Sequence, residues 1–263
     1  MGIDKQDTAR PSLGLIGFGA FGRLVAATLV DHFDLTVCDP GYVQATLPDG
    51  RLCRMGTLAD VARLDVVVMA VPVARLHHLC TTLAPLLSPG TLVLDVGSVK
   101  VEPVAIMQEL LPDHVDIVAT HPLFGPQSAK DGVEGHKVVL CPVRGQRLRS
   151  VARVLRRLGL KVIVECAEAH DREAAMVQGL THLIAKVLVG LGPLPERMTT
   201  ASFDLLREAV GMVKDDPPTV LHAIEVANPY SAEVREAFFA HADTLRAHFD
   251  ADRERNPKEN PTA

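Results

Sequence analysis

The chain has 263 residues, a formal net charge of -5 at pH 7, and hydrophobic residues at 48% of its positions. This composition is typical of a soluble globular protein, and the length allows one large domain or an ordinary domain with a smaller one. The acidic balance, without a basic patch interleaved with aromatic residues, argues against nucleic-acid binding. No apolar run approaches the ~20 residues that span a bilayer, and the polar segment 1–11 predicts no signal peptide. We therefore expect a cytoplasmic protein that contacts no membrane.

A glycine-rich segment lies between a short apolar strand at 13–16 and a helix that begins near Ala20. Its glycines have the G-x-G-x-x-G spacing of a dinucleotide-binding turn, which needs a tight bend, close approach of backbone to pyrophosphate and close packing of helix on strand. The phosphates would lie at the helix N-terminus, where free N–H groups favour negative charge. We predict cofactor contacts for Gly17, Phe18, Gly19, Ala20, Phe21 and Gly22.

An acidic residue, Asp39, follows the second predicted strand at 34–38. It stands about 20 residues beyond the first glycine of the turn, where a carboxylate can accept hydrogen bonds from the adenosine ribose. Because a carboxylate at this position repels a 2′-phosphate, the sequence predicts NAD rather than NADP as the cofactor. The alternative is that Asp39 only caps a turn before Pro40.

Strand-like and helical segments alternate with short connections through the first part of the chain. This alternation predicts a doubly wound, mainly parallel sheet of the Rossmann type, an α/β fold. The segment 65–71 is almost entirely apolar, as a strand covered on both faces must be. We expect a dinucleotide-binding domain over residues 1–166, with residues 1–12 disordered.

From residue 167 the pattern changes to helical segments without a convincing strand. We therefore predict an all-α domain over 167–263, with 250–263 disordered. Its first helix, predicted over 169–191, is apolar at nearly every turn. A helix that is apolar all round needs cover on every side, and a small domain supplies little of it. We expect a homodimer formed through these helices.

The five cysteines lie far apart and form no Cys-x-x-Cys pair. Several of them end or enter apolar strand-like runs, so we interpret the cysteines as buried reduced thiols. We predict no metal site. The five residues are Cys38, Cys53, Cys80, Cys141 and Cys166.

Three predicted loops at the carboxyl ends of the strands, where doubly wound sheets bind ligands, carry reactive groups. The first holds Val71 and Pro72, the second Ser98, and the third His121. A neutral imidazole at this edge can accept a hydroxyl proton as hydride leaves, because histidine titrates near the working pH. Ser98 lies near enough in such a fold to orient the imidazole or to bond a nicotinamide. The alternative is that His121 has only a structural role, as most histidines do.

Several segments resemble the prephenate and arogenate dehydrogenases of tyrosine biosynthesis, in a form nearer the plant-type arogenate enzymes. The most specific is Thr-His-Pro-Leu-Phe-Gly-Pro at 120–126, followed by Gln127 and Ser128. The resemblance covers nearly the whole chain from about residue 13 to about residue 230. The other segments are GFGAFG at 17–22, DVGSVK at 95–100, His-Asp at 170–171 and QGLTH at 178–182.

The resemblance implies an oxidative decarboxylation of prephenate or arogenate. NAD takes hydride from the ring carbon that bears the hydroxyl, the ring carboxylate leaves as carbon dioxide, and the ring becomes aromatic. By resemblance, His121 accepts the hydroxyl proton, Ser98 contacts both this histidine and the nicotinamide, and His182 lines the substrate pocket. Gln178 lies one helical turn before His182 and is expected in or beside the pocket. The predicted substrate contacts are His121, Gln127, Ser128, Gln178 and His182.

The residue that binds the substrate carboxylate stays open. Many prephenate-specific members carry an arginine before an Asp-Pro pair, where this chain has Gly211. Lys186, four residues after His182, and Arg207, one turn before Gly211, are the candidates, beside a basic residue from a partner subunit. The alternative is that both are solvated surface charges. Asp171 either meets the ammonium group of arogenate or favours the dipole of its own helix.

Two other functions fit parts of the pattern. Another two-domain dehydrogenase, acting on a hydroxyacid or an imine, would share the glycine turn, and Lys186 supplies the helical-domain lysine on which hydroxyacid types usually rely. A non-catalytic nucleotide-binding regulatory module would keep the glycines and Asp39 but would need neither His121 nor Ser98. We expect no appended mutase or amino-acid-sensing domain.

Overall fold

The computed structural model describes residues 10–255. Within this range one nine-stranded sheet forms, in the order β3-β4-β2-β1-β5-β6-β7-β8-β9. The strands are β1 (Ser12–Ile16), β2 (Asp34–Cys38), β3 (Ala45–Thr46), β4 (Leu52–Met55), β5 (Val66–Met69), β6 (Leu92–Asp95), β7 (Asp116–Pro122), β8 (Lys137–Arg144) and β9 (Lys161–Val164). Neighbouring strands are parallel except in the antiparallel pairs β3–β4 and β7–β8. The predicted doubly wound, mainly parallel sheet is confirmed.

Helices cover both faces of this sheet. They are α1 (Ala20–Leu29), α2 (Leu58–Val61), α3 (Leu76–Leu83), α4 (Val101–Leu110) and α5 (Leu148–Arg157). Val67 and Met69 of β5 pack in the core formed with α2, α3 and α4, whereas Val68 packs in the core that contains Ala26 of α1. Both sides of β5 are buried, which explains why its sequence is an unbroken apolar run.

The chain after the sheet is helical. Its helices are α6 (Ala167–Ala174), α7 (Leu180–Gly190), α8 (Ala201–Val213), α9 (Pro218–His222) and α10 (Ser231–Arg255). The helix predicted over 169–191 is therefore two helices, joined by a π-helical turn at Ala175–Gly179. A second π-helical turn follows α9 at Ala223–Ala227. No helix between residues 10 and 255 is both long and apolar enough to cross a membrane.

The predicted disorder at the two ends is wrong where the structure describes them. Ser12 begins β1 because its backbone N–H and its hydroxyl both donate to the Asp65 carboxylate, at 3.0 and 2.7 Å. Residues 250–255 belong to α10, where His248 and Asp252 pair one helical turn apart. The remainder of the two predicted tails, 1–9 and 256–263, lies outside the described residues.

The cysteines are free thiols, but they are not all buried. Burial raises the pKa of both the Cys80 and Cys141 thiols to about 12, so these two are inert. Cys166 is exposed, contrary to the prediction. It precedes the first turn of α6, where its Sγ accepts a hydrogen bond from the Ala169 N–H at 3.4 Å.

The glycine turn after β1 is packed too tightly for side chains at two of its three glycines. Gly17 has a φ of +99°, and a Cβ atom there would lie 2.4 Å from the Ala70 carbonyl oxygen. A Cβ at Gly22 would lie 2.1 Å from the Gly17 carbonyl oxygen. At Gly19, by contrast, a Cβ would meet no described atom within 4 Å. Gly17 is therefore required by its positive φ and by the Ala70 backbone that follows β5, and Gly22 by the close approach of α1 to the turn, whereas no such contact requires Gly19.

We expect Gly22→Ala to lower the free energy of unfolding by about 1–3 kcal/mol, because the added methyl group forces α1 away from the turn. Gly19→Ala is the matched control and should change it by no more than about 0.5 kcal/mol. Urea unfolding of both variants, followed by circular dichroism, measures the difference. Equal stability of the two variants would contradict the packing described for the turn.

Candidate active site

The carboxyl ends of β1, β5, β6 and β7 meet at one edge of the sheet, because these strands are parallel. The glycine turn follows β1, residues 71–72 follow β5, Ser98 follows β6, and His121 lies near the end of β7. Phe21 of α1 and Phe124 after β7 bring two of these segments into contact, with ring centroids 6.3 Å apart. The predicted cofactor and catalytic segments therefore share one edge.

The N-terminus of α1 is open for an anion. Gly19 is the residue before the helix, and no side chain caps the first turn. Gly19 is exposed with free space before it. Uncapped N–H groups and the helix dipole favour a phosphate group at such a place, so the turn fits a dinucleotide pyrophosphate. Phe18 differs from its neighbours, because its side chain is buried edge-on against the Tyr42 ring and belongs to the core.

Asp39 is tied to the same turn. Its Oδ2 accepts a hydrogen bond from the Phe18 N–H at 2.6 Å, and its Oδ1 accepts one from the Gly41 N–H at 2.8 Å. A carboxylate offers about four lone-pair positions, so each oxygen retains room for another donor. Asp39 therefore caps its own loop and still presents an anionic acceptor beside the glycine turn.

His121 is almost fully buried and is hydrogen-bonded through both ring nitrogens. Its Nδ1 lies 2.8 Å from Nε2 of His170, and its Nε2 lies 3.4 Å from the amide nitrogen of Gln178. His170 comes from α6, and Gln178 comes from the π-helical turn that follows α6. The helical part of the chain therefore completes the surroundings of a histidine that the sheet supplies.

A carboxylate extends this chain of imidazoles. Asp171 is 0% exposed, and its Oδ1 lies 2.7 Å from Nδ1 of His170. The same carboxylate accepts hydrogen bonds from the backbone N–H groups of Lys100 and Val101, at 2.7 and 2.8 Å. These groups begin α4, so Asp171 caps α4 and not its own helix. This burial contradicts the first of the two interpretations left open by the sequence, in which Asp171 meets the ammonium group of arogenate.

A buried ion pair supports the strand end that carries His121. The ammonium group of Lys100 donates to Oδ2 of Asp95 and, at 2.7 Å, to the Thr120 carbonyl oxygen. Asp95 also accepts the Thr120 N–H at 3.1 Å. The pKa of His121 lies well below its usual value because of burial, with His170 and Lys100 adding to the effect. The imidazole is therefore neutral near pH 7 and able to accept a proton.

Ser98 does not orient His121 in this structure. Among the described residues, His121 is hydrogen-bonded to His170 and Gln178 and not to Ser98, so His170 takes the orienting role expected of the serine. Gln127 is exposed. The Ser128 hydroxyl closes a turn, because it accepts the Gly125 N–H at 2.9 Å and donates to the Gly125 carbonyl at 3.2 Å.

His182 lies on α7, one turn beyond Gln178, and is buried. Its Nδ1 donates to the Gln178 carbonyl at 2.9 Å, and its Nε2 lies 3.1 Å from Oδ2 of Asp216. The Asp216 contact was not apparent from the sequence, because the two residues lie far apart in the chain. His182 is therefore held in one orientation close to the residue that contacts His121.

The two candidate partners of a substrate carboxylate already have neighbours. The ammonium group of Lys186 donates to the Lys214 carbonyl at 3.1 Å. Arg207 lies 3.6 Å from Glu196 and 3.7 Å from Asp204, at the surface of α8. Within residues 10–255, no group of three His, Cys, Asp or Glu side chains is arranged to hold a metal ion.

Comparison with known proteins shows similarity to one family of enzymes. Residues 50–164 match the family model described as prephenate dehydrogenase, nucleotide-binding domain. The chain is 27% identical to arogenate dehydrogenase 1, chloroplastic, of Arabidopsis thaliana over 254 residues, covering 92% of the chain and 39% of the relative. It is 30% identical to a probable arogenate/prephenate dehydrogenase of Methanocaldococcus jannaschii over 188 residues, covering 66% of the chain and 41% of the relative. The chain thus spans about two fifths of the length of these relatives.

Solved structures share the fold. Prephenate dehydrogenase from Aquifex aeolicus, solved in complex with hydroxyphenyl propionate and NAD+, superposes with a TM-score of 0.71 at 22% identity and covers 95% of this chain and 94% of its own. Arogenate dehydrogenase from Synechocystis gives a TM-score of 0.67 at 20% identity, with 92% and 93% covered. A sheet domain followed by helices is therefore common to these proteins and to the present chain.

Proposed function

We propose that this chain, which belongs to the prephenate and arogenate dehydrogenase family, catalyses the NAD-dependent oxidative decarboxylation of prephenate or arogenate. The observation that carries the proposal is the state of His121. It is a buried, neutral imidazole at the carboxyl edge of the sheet, and its Nε2 is an acceptor, which faces the Gln178 amide at 3.4 Å and which a substrate hydroxyl would contact. That is the group this reaction requires, because the substrate hydroxyl must lose its proton as hydride leaves the same carbon.

The glycine turn and Asp39 form the proposed site for NAD. The open N-terminus of α1 would bind the pyrophosphate, and the Asp39 carboxylate would accept hydrogen bonds from the ribose hydroxyls. Bound NAD supplies the hydride acceptor. The residues at 71–72 and Ser98, which follow the neighbouring strands, would contact the nicotinamide half.

The chain's own residues would manage one proton and the position of the ring. His121 Nε2 takes the hydroxyl proton as hydride departs, and decarboxylation of the oxidised ring then yields the aromatic product. His121 returns the proton to the ring oxygen, so the reaction consumes no net proton. Gln178 and His182 would line the ring pocket, because their helix faces His121. Aromatisation makes the sequence of steps downhill, and catalysis is largely a matter of positioning.

The proposal also covers the residues that would bind the substrate carboxylate and the division of the chain into domains. Lys186 or Arg207 would bind a substrate carboxylate after releasing its present partner, the Lys214 carbonyl or the Glu196 carboxylate. Lysine would bind as a point charge, whereas arginine could donate two parallel hydrogen bonds. Gln127 and Ser128 would bound the pocket on the sheet side. We assign residues up to 166 to the cofactor-binding domain and those from 167 onward to the substrate and dimerisation domain.

A homodimer through the helices is part of the proposal. Large apolar side chains are exposed along these helices, as interfaces require. They include Met176, Val177, Val187, Leu205, Met212, Phe239, Leu245 and Phe249.

The proposed reaction is tested by initial rates of NADH formation with prephenate and with arogenate, and with NAD and NADP in parallel. We expect NADH with at least one substrate, and His121→Asn should lower kcat by about 100-fold or more without loss of NAD binding, because the amide cannot take a proton. His32→Asn, at the opposite end of the strands, is the matched control and should keep full activity. Tight NAD binding without turnover of either substrate would favour the non-catalytic alternative.

The cofactor preference is tested by Asp39→Asn. We expect the ratio of kcat/KM for NAD to that for NADP to fall about tenfold, since an ionised acceptor contributes about 1.5–3 kcal/mol to a hydrogen bond. Asp34→Asn, at the amino end of the same strand, should leave the ratio unchanged. An unchanged ratio in the Asp39 variant would assign Asp39 only to its loop.

The dimer is tested by sedimentation at equilibrium, which should give twice the mass of one chain. We expect Leu205→Glu on α8 to shift the equilibrium toward monomer, because a carboxylate would be buried in the interface. Val43→Glu changes a fully exposed apolar residue of the sheet domain and is the matched control. A wild-type chain that sediments as a monomer would refute this part of the proposal.

A further inference from the structure

We propose that His121, His170 and Asp171 form a proton relay, in which the proton taken from the substrate is stored on His170 beside the Asp171 carboxylate. The substrate hydroxyl gives its proton to Nε2 of His121, and the Nδ1 proton of His121 passes to Nε2 of His170. His121 ends neutral and His170 ends as an imidazolium. Once carbon dioxide has left, the two transfers reverse and the ring oxygen regains its proton. This inference deepens the proposed function and rests on it.

The hydrogen-bond directions follow from the fixed donors around Asp171. Two backbone N–H groups donate to its carboxylate, so Asp171 serves as an acceptor, and Nδ1 of His170 must donate to it. Nε2 of His170 is then the acceptor in its 2.8 Å contact with His121, whose Nδ1 carries the proton. Nε2 of His121 is left as the acceptor, facing the Gln178 amide. The hydrogen bonds of these three residues are therefore arranged so that one proton can pass from His121 to His170.

The charges around His121 make storage on that residue alone unfavourable. Lys100 carries a buried ammonium group nearby, and its partner Asp95 is already occupied by it. Burial and these neighbours hold the pKa of His121 well below its usual value. From β8, Cys141 adds no charge, because burial raises its thiol pKa to about 12. Among the described residues His121 is hydrogen-bonded to no carboxylate, whereas Nδ1 of His170 lies 2.7 Å from the Asp171 carboxylate, which can stabilise a new positive charge there.

The pair is held in place from several sides. The Asn228 side chain donates to the Asp171 backbone carbonyl at 2.8 Å, and the Asp171 carboxylate is fixed by the first turn of α4. The His121 and His170 rings meet edge to face, with centroids 5.0 Å apart. His170 and Asp171 are therefore positioning residues that act through His121, and neither needs to touch the substrate.

His170→Gln tests the relay, because the glutamine oxygen can still accept from Nδ1 of His121 but cannot hold a proton. We expect the single-turnover rate of NADH formation to fall about 10- to 100-fold, with the substrate KM within about twofold of the wild type. The acid limb of the kcat/KM profile should move to lower pH, because His121 alone must then be protonated against burial and Lys100. His114→Gln changes a histidine bonded to the Leu87 carbonyl and should shift neither quantity. A slower His170 variant with an unmoved acid limb would overturn the relay and leave His170 a structural residue.

A measurement on the wild-type chain without substrate tests the relay independently of turnover. With ¹⁵N-labelled histidine, acidification should protonate His170 first and convert His121 to the tautomer with its proton on Nε2. Protonation of His121 before His170 would overturn the inference. If the chain turned over neither prephenate nor arogenate, the proposed function would fail while the nitrogen spectra still decided the relay; normal turnover with the opposite protonation order would remove the relay alone.

Discussion

The ammonium group of Lys100 joins the two strand ends from which the active site is built. It is 0% exposed, and it donates to Asp95 at the end of β6 and to the carbonyl of Thr120, the residue before His121. A buried charge without a partner costs several kcal/mol of folding free energy, so removal of either Lys100 or Asp95 would strongly destabilise this part of the structure. Asp95 also accepts N–H groups from Gly97 and Thr120, which satisfies its remaining lone pairs. The position of His121 depends on this small network before any ligand is considered.

The same network links the sheet to the helices. The backbone N–H groups at the start of α4 have no capping side chain of their own, and Asp171 from α6 supplies the acceptor. This carboxylate therefore holds α6 against the sheet and, through the same atoms, orients His170 toward His121. One carboxylate of α6 therefore both caps α4 and orients a histidine of the site.

Much of the fold could be predicted because it rests on local patterns. The apolar run of β5 and the glycines at 17 and 22 are consequences of burial and close packing, which act on neighbouring residues. The sheet edge that carries His121 could be predicted because parallel strands bring their carboxyl ends to the same edge. The disorder predicted at the N-terminal end was wrong at Ser12, because this residue is held by Asp65, a distant partner that local composition does not reveal.

The contacts of the site were less predictable, because they join residues far apart in the chain. His121 and His170 meet only through the docking of α6, and His182 meets Asp216 through the packing of helices. The π-helical turn that carries Gln178 has no distinct sequence pattern, and an uninterrupted helix was the natural expectation. The His-Asp pair at 170–171 is part of the family resemblance, but the partners of the two side chains depend on how α6 packs against the sheet.

The proposed relay gives a role to both the buried lysine and the buried carboxylate near the two histidines. In the proposed reaction, hydride transfer would remove a positive charge from the nicotinamide and proton transfer would create one on an imidazole, so the total charge of the site would not change. Burial, with His170 and Lys100 adding to its effect, lowers the pKa of His121 and keeps it neutral before the proposed step, whereas Asp171 would stabilise the charge once it had passed to His170. In a low-dielectric site such fixed groups need no reorganisation as the charge moves. The arrangement thus favours a charge that travels inward from the substrate edge and returns when the ring oxygen needs its proton.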